Sequence, residues 1–180
     1  MAGRLFAVVG PSGAGKDTLL AELRPARPDL HIARRVITRP EEAGGEPFEG
    51  VDEAEFLRRQ AAGAFALHWQ AHGLRYGIPA SIDQALAEGR DVLFNGSRAM
   101  LGEAWELYPG LTAIHVTART PVLAERLAAR GRESKDEIAR RLARSRYDIP
   151  YGVPIRVVEN NGALEDAVAA FLRALQPERV

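Results

Sequence analysis

Apolar and polar positions follow two distinct periods along the chain. Four continuous apolar runs have the length and β-branched content of buried strands, at residues 5–9, 92–94, 111–117 and 155–158. Between and after them, apolar residues recur three and four positions apart, as on one face of a helix, at 16–24, 53–61, 79–88, 98–107, 121–130, 135–147 and 163–175. Strands that alternate with helices form a parallel sheet covered by helices. The pattern therefore predicts an α/β fold.

Several helix ends carry local signals. Asp52-x-x-Glu55 and Ser134-x-x-Glu137 both fit a capping box, in which two orphan backbone N–H groups are satisfied reciprocally. Pro25 is expected to end the first helix at residue 24, because proline lacks a donor and disfavours a helical conformation in the residue before it.

The stretch 31–78 breaks the alternation of strands and helices. Short β-prone pieces at 31–37 and 65–72 flank an acidic, glycine-containing segment at 41–52. Connections in compact domains are usually short, so we expect a stretch of this size to be a substrate-binding insertion. The rest of the chain predicts a single domain whose core comprises residues 1–30, 79–120 and 148–180.

Composition excludes several classes of protein. The 180 residues suit one compact domain, and a formal net charge of zero gives no overall attraction to nucleic acid or to an acidic membrane. Without cysteine, the chain can form neither disulfides nor thiolate metal sites. Only five apolar residues precede Gly10-Pro11, too few for a signal or membrane segment, so we expect a cytoplasmic protein. The oligomeric state stays open, and a homodimer is compatible with the sequence.

The first strand leads directly into a phosphate-binding motif, Gly10-x4-Gly15-Lys16. In such a loop, glycines let backbone N–H groups converge on a polyphosphate, the helix N-terminus adds partial positive charge, and the lysine reaches the terminal phosphates. About 0.02 accidental matches are expected at the residue frequencies of this chain, so chance is a poor explanation. The sequence predicts ATP binding by Gly10, Pro11, Ser12, Gly13, Ala14, Gly15, Lys16, Asp17 and Thr18.

Asp17 occupies the position where the motif usually has serine or threonine. One interpretation is that its carboxylate faces the shell of a Mg²⁺ ion that bridges the phosphates, directly or through water, with the Thr18 hydroxyl beside it. The other is that Asp17 caps the helix and contacts no metal. The sequence leaves both open.

A basic segment runs from Arg119 to Arg146, with nine basic and four acidic residues and hence a net charge of +5. Arg126 and Arg130 are four positions apart and share a face of a predicted helix. With the helix that follows, they predict a lid at about 121–147 that closes over bound nucleotide. An ordinary solvated basic face is the alternative.

The insertion carries a second group of arginines around Thr38-Arg39-Pro40. Arg34, Arg35 and Arg39 are candidates for binding the phosphates of an acceptor, since a guanidinium binds phosphate oxygens bidentately. Tyr76-Gly77 adds a phenol, although a half-buried strand tyrosine explains the pattern equally well. No metal-ligand spacing relates the four histidines His31, His68, His72 and His115.

Together, these motifs resemble the guanylate kinase family of P-loop kinases over essentially the whole chain. The resemblance rests on the phosphate loop, Thr38-Arg39-Pro40, Gly45-Glu46, Gly50-Val51-Asp52, Tyr76-Gly77, Arg126-Leu127-x-x-Arg130-Gly131, Arg141-Leu142 and Asn160-Asn161. It implies a three-layer core of the P-loop NTPase type, an acceptor-binding insertion and a helical lid over ATP. It also implies that Asn160 lies near the adenine and that Arg130 and Arg141 act on the transferring group.

The chain departs from guanylate kinases where that family reads a base. The guanine-reading carboxylate falls on Leu67, and two acidic positions after the next core strand fall on Asn95 and Ser97. Glu41-Glu42 stands where a second arginine is expected.

The chain instead resembles the ribose 1,5-bisphosphate phosphokinases of phosphonate catabolism, in the segments Lys16-Asp17-Thr18-Leu19-Leu20, Val36-Ile37-Thr38-Arg39-Pro40 and Asn95-Gly96-Ser97-Arg98. This resemblance implies transfer of the ATP γ-phosphoryl group to the 1-phosphate of ribose 1,5-bisphosphate, giving 5-phosphoribosyl 1-diphosphate. An acceptor phosphate has a second pKa of about 6 and needs no protein general base near pH 7. The expected catalytic residues are Lys16, Arg130 and Arg141, and the expected acceptor-binding residues are Arg39, Tyr76 and Arg98.

Two alternatives remain from the sequence. A nucleoside monophosphate kinase such as guanylate kinase is disfavoured by Leu67 and Asn95. A non-catalytic guanylate-kinase-like interaction module is disfavoured by the intact Gly15-Lys16 and the arginine-rich lid.

Overall fold

The computed structural model describes residues 2–11, 13–41, 47–129, 131, 134, 136–138 and 149–177. The strands within these residues are β1 (Leu5–Val9), β2 (His31–Ile32), β3 (Arg35–Ile37), β4 (Phe48–Gly50), β5 (Phe65–Ala71), β6 (Leu74–Pro79), β7 (Val92–Asn95), β8 (Thr112–Thr117) and β9 (Ile155–Glu159). The helices are α1 (Lys16–Ala26), α2 (Glu53–Ala61), α3 (Ser81–Ala87), α4 (Leu101–Leu107), α5 (Thr120–Ala129) and α6 (Leu164–Ala174), with a 3₁₀ turn at Arg98–Met100.

Five strands form a parallel sheet in the order β2-β7-β1-β8-β9. The central strand β1 is buried along its whole length, and its residues alternate between two apolar clusters. One cluster includes α3 and α4, and the other includes α1 and α6. A parallel strand covered on both faces has a continuous apolar sequence, which explains the run at residues 5–9. The predicted three-layer α/β fold is confirmed.

A second sheet has the order β4-β3-β6-β5 and lies within the stretch that breaks the alternation. Its strands β5 and β6 pair antiparallel, as do β3 and β6, whereas β3 and β4 run parallel. The predicted insertion began at about residue 31, but His31–Ile32 pairs with β7 in the core sheet. The backbone bonds of His31 N–H to Asp91 O and of Ala33 N–H to Leu93 O fix this pairing, so the second sheet begins at Arg35.

The end of the first helix differs from the predicted one. The prediction that α1 ends at residue 24 is wrong, because the helix includes Pro25 and its geometry continues to an Arg27 N–H bond to Leu23 O. Asp52 caps α2, its Oδ1 accepting from Glu55 N–H at 2.7 Å, while the Glu55 carboxylate accepts from Arg58 and Arg59. Ser134 and Glu137 bond to each other's backbone N–H at 3.3 and 3.4 Å. Most of the predicted helix at 135–147 lies outside the described residues.

None of the described helices is long and apolar enough to cross a membrane.

Candidate active site

The phosphate loop follows β1 at the carboxyl edge of the core sheet. Gly10 passes so close to β8 that a side chain there would have its Cβ 2.1 Å from Val116 O. Gly15 has a left-handed φ of 91°, and a Cβ on it would lie 2.5 Å from Asn160 Nδ2. Both positions therefore require glycine for the loop to turn into α1. The N-terminus of α1 therefore lies beside the end of β1, and a helix N-terminus in this position after a glycine-rich loop is suited to binding a phosphate.

Lys16 is the first residue of α1, and its side chain reaches back across the loop. Its Nζ donates to Gly10 O at 2.8 Å and to Pro11 O at 3.3 Å. The ammonium group thus lies over the loop, where the backbone donors of such a loop converge on an anion.

Arg126 of α5 also stabilises the loop through hydrogen bonds to backbone carbonyls. Its Nη1 donates to Gly13 O at 3.1 Å and its Nη2 to Asn160 O at 2.6 Å. The buried Asn160 in turn donates from Nδ2 to Ala14 O at 2.8 Å. The sequence analysis put Arg126 on one helix face with Arg130 in a predicted lid, and in the structure its guanidinium donates to carbonyls of the loop and of Asn160. No sequence signal identified these backbone partners.

Asp17 and Asn95 meet where α1 begins and β7 ends. Asn95 Nδ2 donates to Asp17 Oδ1 at 3.2 Å. Asn95 is 5% exposed, and its Oδ1 is buried without a hydrogen-bond partner among the described residues. Carboxylate and amide oxygens are ligands that Mg²⁺ accepts, and the ion commonly uses one or two protein carboxylates together with substrate phosphates and water. The donor set fits such an ion, and the described residues hold no cluster of three or more acidic, histidine or cysteine side chains.

Arg35 and Tyr76 form the centre of a second group, on the sheet β4-β3-β6-β5. The Arg35 guanidinium lies 4.8 Å from the centroid of the Tyr76 ring, which stacks on Trp69 with centroids 5.4 Å apart. Arg39 lies 4.4 Å from the centroid of Phe48 in a similar contact. These aromatic faces hold two guanidiniums on one small sheet.

Burial lowers the pKa of Arg35 to about 10, against the opposing effects of Tyr76 and Asp17, and Arg39 adds to the lowering. Arg35 stays protonated at neutral pH. Its charge is therefore poorly solvated and lies within range of both the phosphate-loop helix and a second arginine. Such a site favours an anion.

Arg98 and His115 lie at the same edge of the core sheet. Ser97 caps the 3₁₀ turn that begins with Arg98, its Oγ accepting from Ala99 N–H at 3.3 Å. Burial lowers the pKa of His115, with further lowering by Arg98 and Lys16. The imidazole is therefore neutral near pH 7, and it lies within range of both cations. The sequence analysis tested His115 only as a metal ligand. Its position late in the predicted strand at 111–117 was the signal that it lies near the carboxyl edge of the core sheet.

Leu67 is 4% exposed and packs in the apolar cluster that includes Ile78 and Phe94. The position that resembles the base-reading carboxylate is therefore part of the hydrophobic core. Tyr76 is likewise buried, with Ile37 and Phe48.

Three predicted site residues, Ser12, Arg130 and Arg141, lie outside the described residues. The loop residues, Asn160 and Arg98 gather around the carboxyl edge of the core sheet, whereas Arg39 and Tyr76 lie on the second sheet.

Comparisons with known proteins agree with this geometry. No protein-family model matches the chain. The chain is 50% identical to the ribose 1,5-bisphosphate phosphokinase PhnN of Ruegeria sp. (strain TM1040) over 178 residues, which covers 98% of this chain and 94% of that protein. The ribose 1,5-bisphosphate phosphokinase PhnN of Pseudomonas fluorescens (strain SBW25) is 49% identical, and the match covers 97% of this chain and 96% of that protein. A bifunctional ribose 1,5-bisphosphokinase-thymidine phosphorylase of Cupriavidus necator is 50% identical over 97% of this chain but only 29% of its own length.

Among solved structures, guanylate kinase from Anaplasma phagocytophilum superimposes with a TM-score of 0.68 at 20% sequence identity, covering 98% of this chain and 88% of that one. A gluconokinase from Sinorhizobium meliloti 1021 has a TM-score of 0.52 at 19% identity, with 96% and 93% covered. At these identities the likeness concerns the fold alone.

Proposed function

Because this chain belongs to the ribose 1,5-bisphosphate phosphokinase family, we propose that it transfers the γ-phosphoryl group of ATP to the 1-phosphate of ribose 1,5-bisphosphate. The products are ADP and 5-phosphoribosyl 1-diphosphate, a step of phosphonate catabolism. One geometric observation carries the proposal beyond the family name. The second sheet carries Arg35 and Arg39. Leu67, which stands where guanylate kinases have the carboxylate that reads the base, is buried in the core.

The ATP phosphates bind to the backbone N–H groups of the loop from Gly10 to Thr18 and to Lys16. The support is the loop geometry: the N-terminal turn of α1 and the lysine ammonium are directed to the same place. Asn160 is assigned to the neighbourhood of the adenine, and its contact with Ala14 O holds it beside the loop.

Asp17 and Thr18 would hold Mg²⁺, with Asn95 orienting the Asp17 carboxylate through their hydrogen bond. The ion supplies neutralisation of the charge that develops between the β- and γ-phosphates. A carboxylate at this position would otherwise repel those phosphates. Asn95 therefore acts as a positioning residue that keeps Asp17 to one side of the loop.

The acceptor phosphates bind to Arg39 and Tyr76 on the second sheet and to Arg98 at the end of β7. Phosphoryl transfer requires positioning and charge neutralisation rather than covalent help from the protein. An ionised acceptor phosphate has no proton that must be removed, which agrees with the absence of a carboxylate at Asn95 and Ser97. Arg130 and Arg141 of the lid would stabilise the transferring group.

The decisive experiment offers ribose 1,5-bisphosphate and GMP in parallel to the purified protein with ATP and Mg²⁺. ADP is measured by a coupled assay, and the new diphosphate is identified by ³¹P NMR. We expect transfer to the sugar bisphosphate only, and loss of at least ~100-fold in the Lys16→Met variant. Transfer to GMP would instead establish a nucleoside monophosphate kinase. No transfer to either acceptor would favour a non-catalytic interaction module.

A further inference from the structure

Cross-strand pairs place the second sheet's side chains in rows. Ile37 of β3 pairs with Tyr76 of β6, and Tyr76 pairs with Trp69 of β5. Residues that pair directly across neighbouring strands project from the same face of a sheet. This row contains the Tyr76–Trp69 stack, with ring planes inclined by only 6°.

A second row runs beside the first on the same face. Val36 pairs with Gly77, so the same register places Arg35 beside Ile78, and Ile78 pairs with Leu67. Residues two positions apart on a strand share a face and lie about 6–7 Å apart. Arg35, Ile78 and Leu67 therefore form a row next to that of Tyr76, and the Arg35 guanidinium leans onto the Tyr76 ring.

This face of the second sheet is turned towards the core. Leu67 and Ile78 pack with Phe94 of β7 in one apolar cluster. The Arg35 guanidinium, which contacts the Tyr76 ring on this face, therefore lies on the side of the second sheet that is turned towards the core sheet.

Two cationic groups of the site are distinguishable by the sheet that carries them. Lys16 begins α1 and Arg98 follows β7, so both lie at the carboxyl edge of the core sheet. Arg35 and Arg39 lie on the second sheet, over the rings of Tyr76 and Phe48. The first group includes the phosphate-loop lysine and is therefore assigned to the phosphate that accepts the γ-phosphoryl group. The second lies on the other sheet, beside apolar residues that offer no hydrogen bond to a base.

A sugar bisphosphate has phosphates at both ends, and only one of them reacts. We propose that Arg35 binds the phosphate of the acceptor that does not react, the 5-phosphate, and thereby selects sugar bisphosphates over acceptors with a single phosphate. This inference rests on the proposed function and extends it to a specificity-determining residue. The planar guanidinium matches a phosphate bidentately, and the Tyr76 ring fixes its orientation before the substrate arrives.

The test combines a variant with a truncated substrate. Arg35→Met removes the charge but retains much of the side-chain length, and ribose 1-phosphate lacks the phosphate that Arg35 is proposed to bind. We expect kcat/KM for ribose 1,5-bisphosphate to fall about 10–100-fold, mainly through KM, since a charge-assisted contact has this magnitude. The value for ribose 1-phosphate should change less than about twofold. Arg58→Met, at an exposed arginine of α2 paired with Glu55, is the control and should leave both values unchanged.

Equal losses with both acceptors would overturn the proposal, because Arg35 would then act on the reacting phosphate or on the fold. No loss with either acceptor would overturn it as well. Arg35→Lys keeps the charge without the planar fork, and we expect a smaller loss that is again confined to the bisphosphate. This variant serves if Arg35→Met does not fold, as judged by near-UV circular dichroism of the Tyr76–Trp69 stack.

A binding measurement separates this proposal from the proposed function. Ribose 5-phosphate carries the non-reacting phosphate alone, and calorimetry reports its binding to the intact protein without turnover. We expect binding to wild type that weakens about 10–100-fold in Arg35→Met and is unchanged in Arg58→Met. If the protein transfers phosphate to ribose 1,5-bisphosphate but does not bind ribose 5-phosphate through Arg35, the inference fails and the function stands. If it binds ribose 5-phosphate through Arg35 but transfers nothing, the function fails alone.

Discussion

Asn95 donates a hydrogen bond to Asp17 across 3.2 Å, joining the end of a core strand to the first turn of the phosphate-loop helix. The two residues are 78 positions apart in sequence and meet because parallel strands end at the same edge of the sheet. An aspartate at Asn95 would place two like charges in contact. The Asn95 amide instead donates a hydrogen bond to one oxygen of the Asp17 carboxylate. Its own oxygen, Oδ1, is buried without a hydrogen-bond partner among the described residues.

This pair predicts how the magnesium requirement responds to mutation. In Asp17→Ser, the Mg²⁺ concentration for half-maximal activity should rise by about tenfold or more, because the ion loses its only anionic protein ligand in the proposed site. Asn95→Ala should raise it by a similar factor while leaving kcat closer to wild type, since it removes only the orienting hydrogen bond. Activity is titrated with Mg²⁺ at a fixed, saturating ATP concentration.

Ser97→Ala is the matched control for these two variants. Ser97 lies in the same loop but caps the 3₁₀ turn instead of contacting Asp17. Its magnesium titration should resemble that of wild type. If Asp17→Ser has the same magnesium requirement as wild type, Asp17 does not bind the metal, and the interpretation that it caps the helix remains.

Arg126 predicts a coupling between stability and nucleotide binding. Arg126→Met removes the donors that satisfy Gly13 O and the carbonyl of the buried Asn160, and should lower the free energy of unfolding by about 2–3 kcal/mol. ATP should also bind more weakly, because the loop loses its support from α5. Urea unfolding and calorimetry measure the two effects. Arg119→Met, at an exposed side chain before α5, should change neither, and a loss of stability without weaker binding would contradict the coupling.

The sequence predicted the central strand of the core sheet well because that strand is buried on both faces and has a continuous apolar sequence, and the run at 5–9 matches β1. The run at 155–158 is one residue shorter than the edge strand β9, although Ile155 and Val157 there are exposed. The short strands β2 and β3 follow each other within the one β-prone piece predicted at 31–37, yet belong to different sheets. Strand pairing with β7 separates them, and hydrophobic periodicity contains no information on pairing partners.

The candidate site was predictable where a local motif fixes the geometry, as in the turn from Gly10 to Lys16. It was not predictable where backbone carbonyls select a side chain from far away in sequence. Arg126 has the same helical spacing as a lid arginine, but its partners are carbonyls at Gly13 and Asn160. Arg35 was one of three candidate arginines, and only the sheet register places it in the row of Leu67.

The lid predicts a separation between turnover and binding. If Arg141 stabilises the transferring phosphoryl group, Arg141→Ala should lower kcat by about 100–1,000-fold and weaken ATP binding much less. Single-turnover rates and equilibrium ATP binding are compared in the same variant. Equal losses in both measurements would indicate that Arg141 binds the ground state of ATP rather than the transition state.

His115 predicts how stability depends on pH above the range in which carboxylates titrate. Burial, Arg98 and Lys16 lower its pKa in the folded state, so the unfolded chain binds more protons as the pH falls through about 6.5. Stability is therefore lost on acidification through that value, and His31 adds in the same direction through burial and Arg90. The free energy of unfolding in urea should fall between about pH 7.5 and 5.5, and fall less in His115→Gln.

Asp91 and Glu55 have lowered pKa values and contribute to acid unfolding only below this window. An identical pH dependence in wild type and His115→Gln would show that the His115 imidazole has the same pKa in the folded and unfolded chain, despite its burial and the two cations beside it.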